Sequence, residues 1–534
     1  MKKGTLISLT LAFTVLMSLP WLVPHCGALA LVGLLPLLIM ERLATEHQVR
    51  HFWWWHYAAF VLWNAVTTWW ISGATVGGAV FAILANALQM SVIFGSFRWV
   101  KRRLRGILPY LYLAAAWMAW ERFYLTSAQI SWPWLVLGNA FAESTGLIQW
   151  YSVLGTLGGS LWVWASNLSL FGLMVALSDG RMGRWNAKAR ICAFAGTLMV
   201  LTGPMLWSLC LKPAPGGETL KVVIGQPNYD PYEKFESLSR EEQDERYLSL
   251  LEKADWSSSE PTLVLAPETF TSQVSTNRVL GHETFLRFQD FLKAHPQASI
   301  LYGASTQEPV LSYARPHPCA YDLGVQPDGR NLWLLFHNSA ILTDTSAVYQ
   351  IYHKSKLVVG TELTPYPQVF IPLEKWLSRG GTLMAKDIGQ KEISCLKLAD
   401  GTSVGVPICY ESVYGEFCTG YVKKGARLLT VITNDAWWGD TPGYRQHLSY
   451  SRLRAIETRR WVARCANTGV SALINPRGQI VSRTPWWEPA LLEGTVQLCD
   501  QETFFVRYGD MVGRVSVFLF LLLGAAALFR PRNH

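Results

Sequence analysis

Three side chains that can cooperate in acyl transfer each end a strand-like segment, and the three segments lie far apart in the chain. A carboxylate, Glu268, ends segment 262–268; an ammonium, Lys354, ends segment 347–354; and a thiol, Cys409, ends segment 404–409. A thiol with its own base can form a covalent acyl intermediate, and a nearby cation can stabilise the oxyanion. The set therefore predicts a nucleophilic cysteine site.

Each of these residues also has an ordinary structural explanation. Cys409 could be a buried structural cysteine, whereas a thiol at a strand end that faces a helix N-terminus has a depressed pKa. Glu268 could form a surface salt bridge, whereas a half-buried glutamate with a raised pKa can serve as general base. Lys354 could be an exposed lysine at a strand end. The combination is therefore stronger evidence than any one member.

The composition places much of the chain in a membrane. Of the 534 residues, 50% are hydrophobic and 16% are charged, whereas soluble proteins carry roughly 25% charged residues. The net charge of +9 comes from basic residues in short loops between apolar segments, which is typical of an orientation signal in a membrane. This placement argues against nucleic acid as a partner.

Apolar segments of membrane-spanning length occur on both sides of a polar region. The predicted spans are 5–23, 26–40, 54–72, 76–97, 107–125, 151–177, 191–211 and 514–529. The first segment could be a cleaved signal peptide, but apolar sequence continues to Met40, which favours an uncleaved helix. Basic clusters alternate between the spans, so the positive-inside rule places both termini in the cytoplasm and the polar region in the periplasm. The predicted domains are 1–212, 213–507 and 508–534.

The polar region mixes short β-rich segments with amphipathic helices, which predicts an α/β layered domain. The predicted strands are 221–225, 263–266, 299–303, 340–343, 348–352, 393–398, 404–408, 428–433 and 471–474. The predicted helices are 239–254, 282–294, 412–424 and 443–459. Six of the nine cysteines lie here, where one or two disulfides could form outside the cytoplasm.

Four sequence blocks resemble the signature blocks of the nitrilase superfamily. They are Pro-Glu268-Thr, Tyr-His-Lys354-Ser-Lys, Ile-Cys409-Tyr-Glu411 and Thr-Asn434-Asp435-Ala-Trp437-Trp-Gly439-Asp440. Together with the spans, they resemble the apolipoprotein N-acyltransferase family over nearly the whole chain. The chain departs from the family pattern at 359–362, which is Val-Gly-Thr-Glu in place of Pro-Phe-Gly-Glu, and at Lys356, where His is common.

The resemblance implies an α-helical membrane bundle of about eight spans joined to a nitrilase-like αββα sandwich. It implies that Glu268 is the base, Lys354 the oxyanion stabiliser and Cys409 the nucleophile. The substrate-binding or supporting positions that it implies are Glu362, Tyr410, Glu411, Trp437 and Gln226. His353 and His447 could form a Cys–His pair, but Glu268 and Lys354 explain the site without them.

The implied reaction moves a fatty acyl chain from a phospholipid to the cysteine, and then to the N-terminal α-amine of a diacylglyceryl-cysteine lipoprotein. We expect a monomer in the bacterial inner membrane, no metal or organic cofactor, and apolar, mobile loops at 362–370 and 437–444. Two alternatives stay open. One is a membrane-anchored nitrilase-type amidase acting on a small amide, and the other is a non-enzymatic membrane scaffold or transporter.

Overall fold

The N-terminal part of the chain folds into a helical bundle. The computed structural model describes residues 3–213, 216–230, 234, 237–369, 371 and 387–530. The helices of the bundle follow the predicted apolar segments in order. They are α1 (Lys3–Leu22), α2 (Ala30–Gly33), α3 (Leu35–Glu46), α4 (Phe52–Thr68), α5 (Val76–Lys101), α6 (Leu108–Thr126), α7 (Tyr151–Ser178) and α8 (Ala187–Cys210).

Within the described residues, six segments combine the length and the apolar composition needed to cross a membrane. They are Lys3–Leu22, Gly27–Glu46, Val76–Lys101, Tyr151–Ser178, Ala187–Cys210 and Met511–Leu528. Helices α4 and α6 coincide with the two other predicted spans, but α4 has only 17 residues and α6 carries Glu121 and Arg122. The multi-span bundle is therefore confirmed, with six candidate spans where eight were predicted.

Two β-sheets stack face to face in the polar region. Their strands are β1 (Thr219–Gln226), β2 (Thr262–Leu265), β3 (Thr271–Ser275), β4 (Ala298–Ser312), β5 (Tyr321–Val325), β6 (Asn331–Thr343), β7 (Tyr349–His353), β8 (Leu396–Lys397), β9 (Ser403–Gly405), β10 (Leu428–Thr433), β11 (Val462–Ala466), β12 (Ala472–Ile474), β13 (Ile480–Arg483) and β14 (Ala490–Gln497). One sheet has the order β14-β1-β2-β4-β6-β5, with β3 beside β4 and β7 beside β6. The other has the order β13-β12-β11-β10-β9-β8.

Helices cover the outer faces of both sheets. The helices that follow the bundle are α9 (Arg240–Leu251), α10 (Glu283–Ala294), α11 (Gly415–Lys423), α12 (Pro442–Thr458), α13 (Phe504–Tyr508) and α14 (Met511–Leu528). Tyr247 of α9 and Phe288 of α10 pack on the first sheet, while side chains of both sheets form a common buried core. The predicted αββα sandwich is confirmed, and so are its four predicted helices.

The strand predictions were less complete, for identifiable reasons. Strand β9 ends at Gly405 rather than at 408, because Pro407 has no N–H to donate to a neighbouring strand. Strand β11 was missed because Arg464 lies in its middle, although that side chain is fully buried. Strands β4 and β6 are much longer than predicted, since they continue beyond the core as an antiparallel pair. Strand β5 lies in the connection between them and pairs with β6.

Helix α12 joins the sandwich to the membrane bundle. Every residue from 446 to 458 is buried, because one side of the helix packs on the sheet and the other on the bundle. Gln446 accepts hydrogen bonds from the indole nitrogens of Trp70 (3.2 Å) and Trp134 (2.6 Å). Glu457 accepts one from the backbone N–H of Thr156 (2.8 Å). The sandwich is thereby fixed on one end of the bundle.

Candidate active site

A buried lysine lies between two carboxylates at the edge of the first sheet. Lys354, which follows β7, donates from Nζ to Glu268 Oε1 (3.0 Å) and to Glu362 Oε1 (2.8 Å). Its side chain is only 1% exposed. Burial alone would lower the pKa of Lys354, but the charges of the two carboxylates hold that pKa well above its ordinary value. The structure therefore provides a fixed positive charge in a water-poor site.

Asn338, which is not among the predicted site residues, holds both carboxylates in place. From strand β6 it donates from Nδ2 to Glu268 Oε1 (2.7 Å) and to Glu362 Oε1 (2.8 Å). The other oxygen of Glu268 accepts from the backbone N–H of Asn434 (3.0 Å), which follows β10 in the second sheet. The sequence contains little signal for this role, because Asn338 lies between the polar residues His337 and Ser339 of the strand.

Cys409 stands where the chain leaves the second sheet, at the start of a short 3₁₀ turn, Cys409–Val413. Its φ is +50°, a left-handed conformation that costs a non-glycine residue about 1–3 kcal/mol. The carbonyl oxygen of Cys409 accepts hydrogen bonds from Ser412 Oγ (2.7 Å) and His447 Nε2 (3.1 Å). These contacts offset the strain and hold the turn at Cys409 in place. The contact of His447 is with the backbone carbonyl of Cys409.

The charges of Glu268 and Lys354 both act on the Cys409 thiol. Burial raises the pKa of this thiol well above its ordinary value, Glu268 raises it further, and Lys354 opposes the increase. Burial and the charge of Glu268 thus favour the neutral thiol over the thiolate. The depressed pKa predicted from a helix N-terminus was wrong, because a single 3₁₀ turn contributes little dipole and desolvation of the thiol raises its pKa.

An apolar cavity of about 460 Å³ leads from Cys409 into the membrane bundle. Its volume is in the range of ligand-binding cavities, roughly 300–1,000 Å³. The bundle contributes Trp70, Gly77, Phe81, Ala85 and Asn86 among others, and the sandwich contributes Val359, Pro365, Tyr410, Trp438 and His447. Phe81 is more than half exposed on the outer surface of the bundle, so the cavity lies next to a surface that faces lipid.

Tyr410 and Glu411 lie on opposite sides of the 3₁₀ turn that begins at Cys409. Tyr410 lines the cavity and donates from Oη to the Ser131 carbonyl (3.2 Å). Glu411 points into the protein, where it accepts hydrogen bonds from the N–H groups of Ile408 (2.8 Å) and Ser355 (2.6 Å). Burial raises the pKa of Glu411 to about 6. Glu411 thus connects the segment that carries Cys409 to the segment that carries Lys354.

The structure places Trp437 and Gln226 outside the cavity lining. Trp437 is 40% exposed, and its neighbour Trp438 lines the cavity instead. Gln226 is buried in β1, where its Oε1 accepts from Ser471 Oγ (2.8 Å) and Thr484 Oγ1 (2.7 Å). Its amide therefore connects the two sheets.

The remaining expectations concern His353, the loops and the cysteines. His353 stacks on the ring of His337 at 4.2 Å. Loop 362–370 contributes Pro365 to the cavity, while residue 370 lies outside the described residues. All nine cysteines are described, and each is a free thiol. The possible disulfides are thus not formed.

Comparisons with known proteins match both parts of the chain. The model of the apolipoprotein N-acyltransferase N-terminal domain matches residues 13–169, and the carbon-nitrogen hydrolase model matches residues 238–503. An apolipoprotein N-acyltransferase of Chlorobaculum tepidum is 28% identical over 531 residues, which cover 96% of this chain and 94% of the relative. That of Azotobacter vinelandii is 30% identical over 444 residues, which cover 81% and 76%.

Among solved structures, Saccharomyces cerevisiae Nit3, a member of branch 10 of the nitrilase superfamily, aligns with a TM-score of 0.36 and 15% identity. The alignment covers 54% of this chain and 93% of Nit3. The family models and the two relatives agree on one assignment. This chain belongs to the apolipoprotein N-acyltransferase family and contains a carbon-nitrogen hydrolase domain.

Proposed function

We propose that the protein moves a fatty acyl chain from a phospholipid to the N-terminal α-amine of a diacylglyceryl-cysteine lipoprotein, through a thioester on Cys409. The observation that carries this proposal is the apolar cavity that joins the nucleophile to the membrane bundle. A lipid acyl chain can bury its methylene groups against such a lining, whereas a small polar amide has no apolar chain to place there. Family membership also favours the acyltransferase over the membrane-anchored amidase.

In the first half-reaction Glu268 removes the proton of the Cys409 thiol as the sulfur attacks the ester carbonyl of the phospholipid. The developing oxyanion is stabilised by the ammonium of Lys354, whose charge is already in place. When the tetrahedral intermediate collapses, the ester C–O bond breaks and the lysophospholipid oxygen takes the proton from Glu268. The product of this half-reaction is the Cys409 thioester.

In the second half-reaction the α-amine of the lipoprotein attacks the thioester carbonyl. Glu268 accepts a proton from the amine and passes it to the departing thiolate of Cys409, so an amide forms and the free thiol is restored. The lysophospholipid leaves before the lipoprotein reacts, because its alkoxide oxygen departs from the same carbonyl carbon that the amine later attacks in the thioester. This order is a ping-pong mechanism.

The supporting residues have proposed roles that follow from their contacts. Glu362 holds Lys354 in its charged form, and Glu411 sets the distance between the lysine and cysteine segments. Tyr410 forms part of the cavity wall beside the acyl chain. The proposed role of the exposed Trp437, next in sequence to the cavity-lining Trp438, is contact with the lipid substrates. Gln226 holds the two sheets together through its hydrogen bond with Ser471.

We further propose that the enzyme is a monomer in the bacterial inner membrane with its sandwich on the periplasmic side and both termini in the cytoplasm. Basic residues support this orientation, since Arg98 and Lys101 end α5 at the side of the bundle away from the sandwich. Arg181 and Arg184 follow α7 on the same side. Positive charge of this kind is retained on the cytoplasmic side.

The test is intact-mass measurement of the purified protein in phospholipid micelles. We expect a fatty-acyl adduct that neutral hydroxylamine removes, as it does a thioester. Cys409→Ala abolishes the adduct, while the matched control Cys418→Ala, a buried cysteine in the same domain, keeps it. An adduct that persists in Cys409→Ala would overturn the proposal.

A second measurement separates the acyltransferase from an amidase. Addition of a diacylated lipopeptide discharges the adduct and yields the triacylated peptide. Discharge to free fatty acid at the same rate with and without the peptide contradicts acyl transfer, because water would then be the acceptor.

A further inference from the structure

The cavity that starts at Cys409 ends in the membrane bundle at a set of polar side chains that the proposed reaction does not use. Along α5 the lining residues are Gly77, Gly78, Phe81, Ala82, Ala85 and Asn86. This spacing places them on one face of the helix. From Gly77 to Asn86 the helix rises about 14 Å, at 1.5 Å per residue. Asn86 is the lining residue of α5 that lies deepest in the bundle.

Hydrogen bonds between helices close the cavity at this depth. Asn86 donates from Nδ2 to Asn64 Oδ1 of α4 (2.7 Å). One turn further along α5, Gln89 donates from Nε2 to Tyr124 Oη of α6 (2.6 Å) and accepts from Trp120 Nε1 (3.2 Å). Helix α5 is thus tied to both neighbouring helices. Asn86 and Tyr124 line the cavity, and Asn64 and Gln89 are their hydrogen-bond partners. We call these four residues the polar floor.

The amide of Asn86 is only half satisfied. Its side chain is buried, with 1% exposure, and its Oδ1 has no hydrogen-bond partner among the described residues. Contact of an acyl methylene group with apolar neighbours such as Phe81 and Ala82 makes binding more favourable. Contact with the unsatisfied carbonyl oxygen of Asn86 does not, and the methylene group would also keep water from that oxygen. The favourable part of the cavity therefore ends at Asn86.

We propose that the polar floor sets the length of the transferred acyl chain, with Asn86 as the specificity-determining residue. Acyl chains whose terminal methyl group stops short of the Asn86 amide bind well, and longer chains must push methylene groups into the polar floor. This inference rests on the proposed function, because it assumes that the acyl chain of the Cys409 thioester occupies the cavity.

The test is the mass distribution of the acyl adduct formed from an equimolar series of saturated phospholipids whose chains differ by two carbons. Asn86→Ala removes the amide and deepens the cavity, so we expect the ratio of longer to shorter adducts to rise by about tenfold for one two-carbon step. Ala85→Leu fills the cavity just above the floor and shifts the distribution toward shorter chains. The control Leu84→Ala, on the lipid-exposed side of α5, leaves the distribution unchanged.

Two failures are distinguishable in this experiment. If the wild-type protein forms no adduct, the proposed function is overturned and the chain-length inference with it. If adducts form on Cys409 but their distribution is the same in wild type, Asn86→Ala and Ala85→Leu, the chain-length inference alone is overturned. Because the readout is a ratio of masses, partial loss of folded protein does not alter it.

Discussion

Replacement of the proposed base, Glu268→Gln, tests the chemistry most directly. The variant keeps the volume of the side chain and an oxygen that can accept hydrogen bonds from Lys354 and Asn338. It removes the carboxylate that would take the thiol proton. Burial, the largest cause of the raised pKa of Cys409, persists in the variant. The thiol must then lose its proton without assistance.

The expected magnitude follows from that loss. General base catalysis contributes about 10²–10⁴-fold, so acylation should slow by a factor in this range, or about 2.7–5.4 kcal/mol. In the variant the reactive species is the thiolate, and its fraction rises tenfold per pH unit as long as the pH is below the raised pKa of the thiol. The logarithm of the acylation rate should therefore rise with pH with a slope of one. Wild type lacks this slope, because its proton acceptor is beside the thiol.

The assay is the rate of adduct formation by intact mass between about pH 6.5 and 8.5, where an ordinary thiol pKa of roughly 8.5 would already flatten the profile. The control Glu362→Gln keeps the base and should not acquire the slope of one. If Glu268→Gln acylates within about twofold of wild type, or if its pH profile matches that of wild type, the base is another group and the reasoning is refuted.

Three further outcomes are expected. Lys354→Met leaves two buried carboxylates without a cation, so thermal unfolding should show a loss of about 3–5 kcal/mol, and an unchanged unfolding temperature would contradict the buried ion pair. Burial would raise the pKa of Asp435, but Arg464 and His447 hold it below its ordinary value. This carboxylate therefore stabilises the fold above roughly pH 4, and its contribution is lost as the pH falls through the lowered pKa. Asp435→Asn should cost stability at neutral pH by a margin that shrinks in acid, and a margin that stays constant with pH would contradict this role of Asp435. Ala82→Phe places a ring in the cavity and should slow acylation by at least about tenfold, whereas Val80→Phe on the exposed side of the same helix should not, and equal rates in the two variants would exclude the cavity as the acyl site.

Much of the site was predictable because its signals are local. Glu268, Lys354 and Cys409 each follow a strand-like segment. A residue that follows a strand lies at the end of the sheet, independently of how the strands are connected. The membrane helices were predictable for a similar reason, since apolar length alone decides whether a segment can cross a bilayer. The ends of strands were less predictable, because the strands with which they pair lie far away in the chain. The effects of Pro407 on β9 and of Arg464 in β11 depend on that pairing.

Asn338 and Asn86 show what local sequence does not contain. An asparagine in a strand or a helix is ordinary by type, and it acquires a role only when Glu268 and Glu362, or Asn64, are brought within hydrogen-bond distance. These partners come from separate elements, so no spacing along the chain could identify them.

The sequence by itself determined the candidate reacting groups, the membrane character and the layered fold, because side-chain chemistry, apolar length and strand–helix alternation are properties of short segments. Only the tertiary structure decided the surroundings that raise the pKa of the Cys409 thiol and the extent of the apolar cavity. Both depend on enclosure, and enclosure is produced jointly by the sandwich and the membrane helices, which meet only when the whole chain has folded.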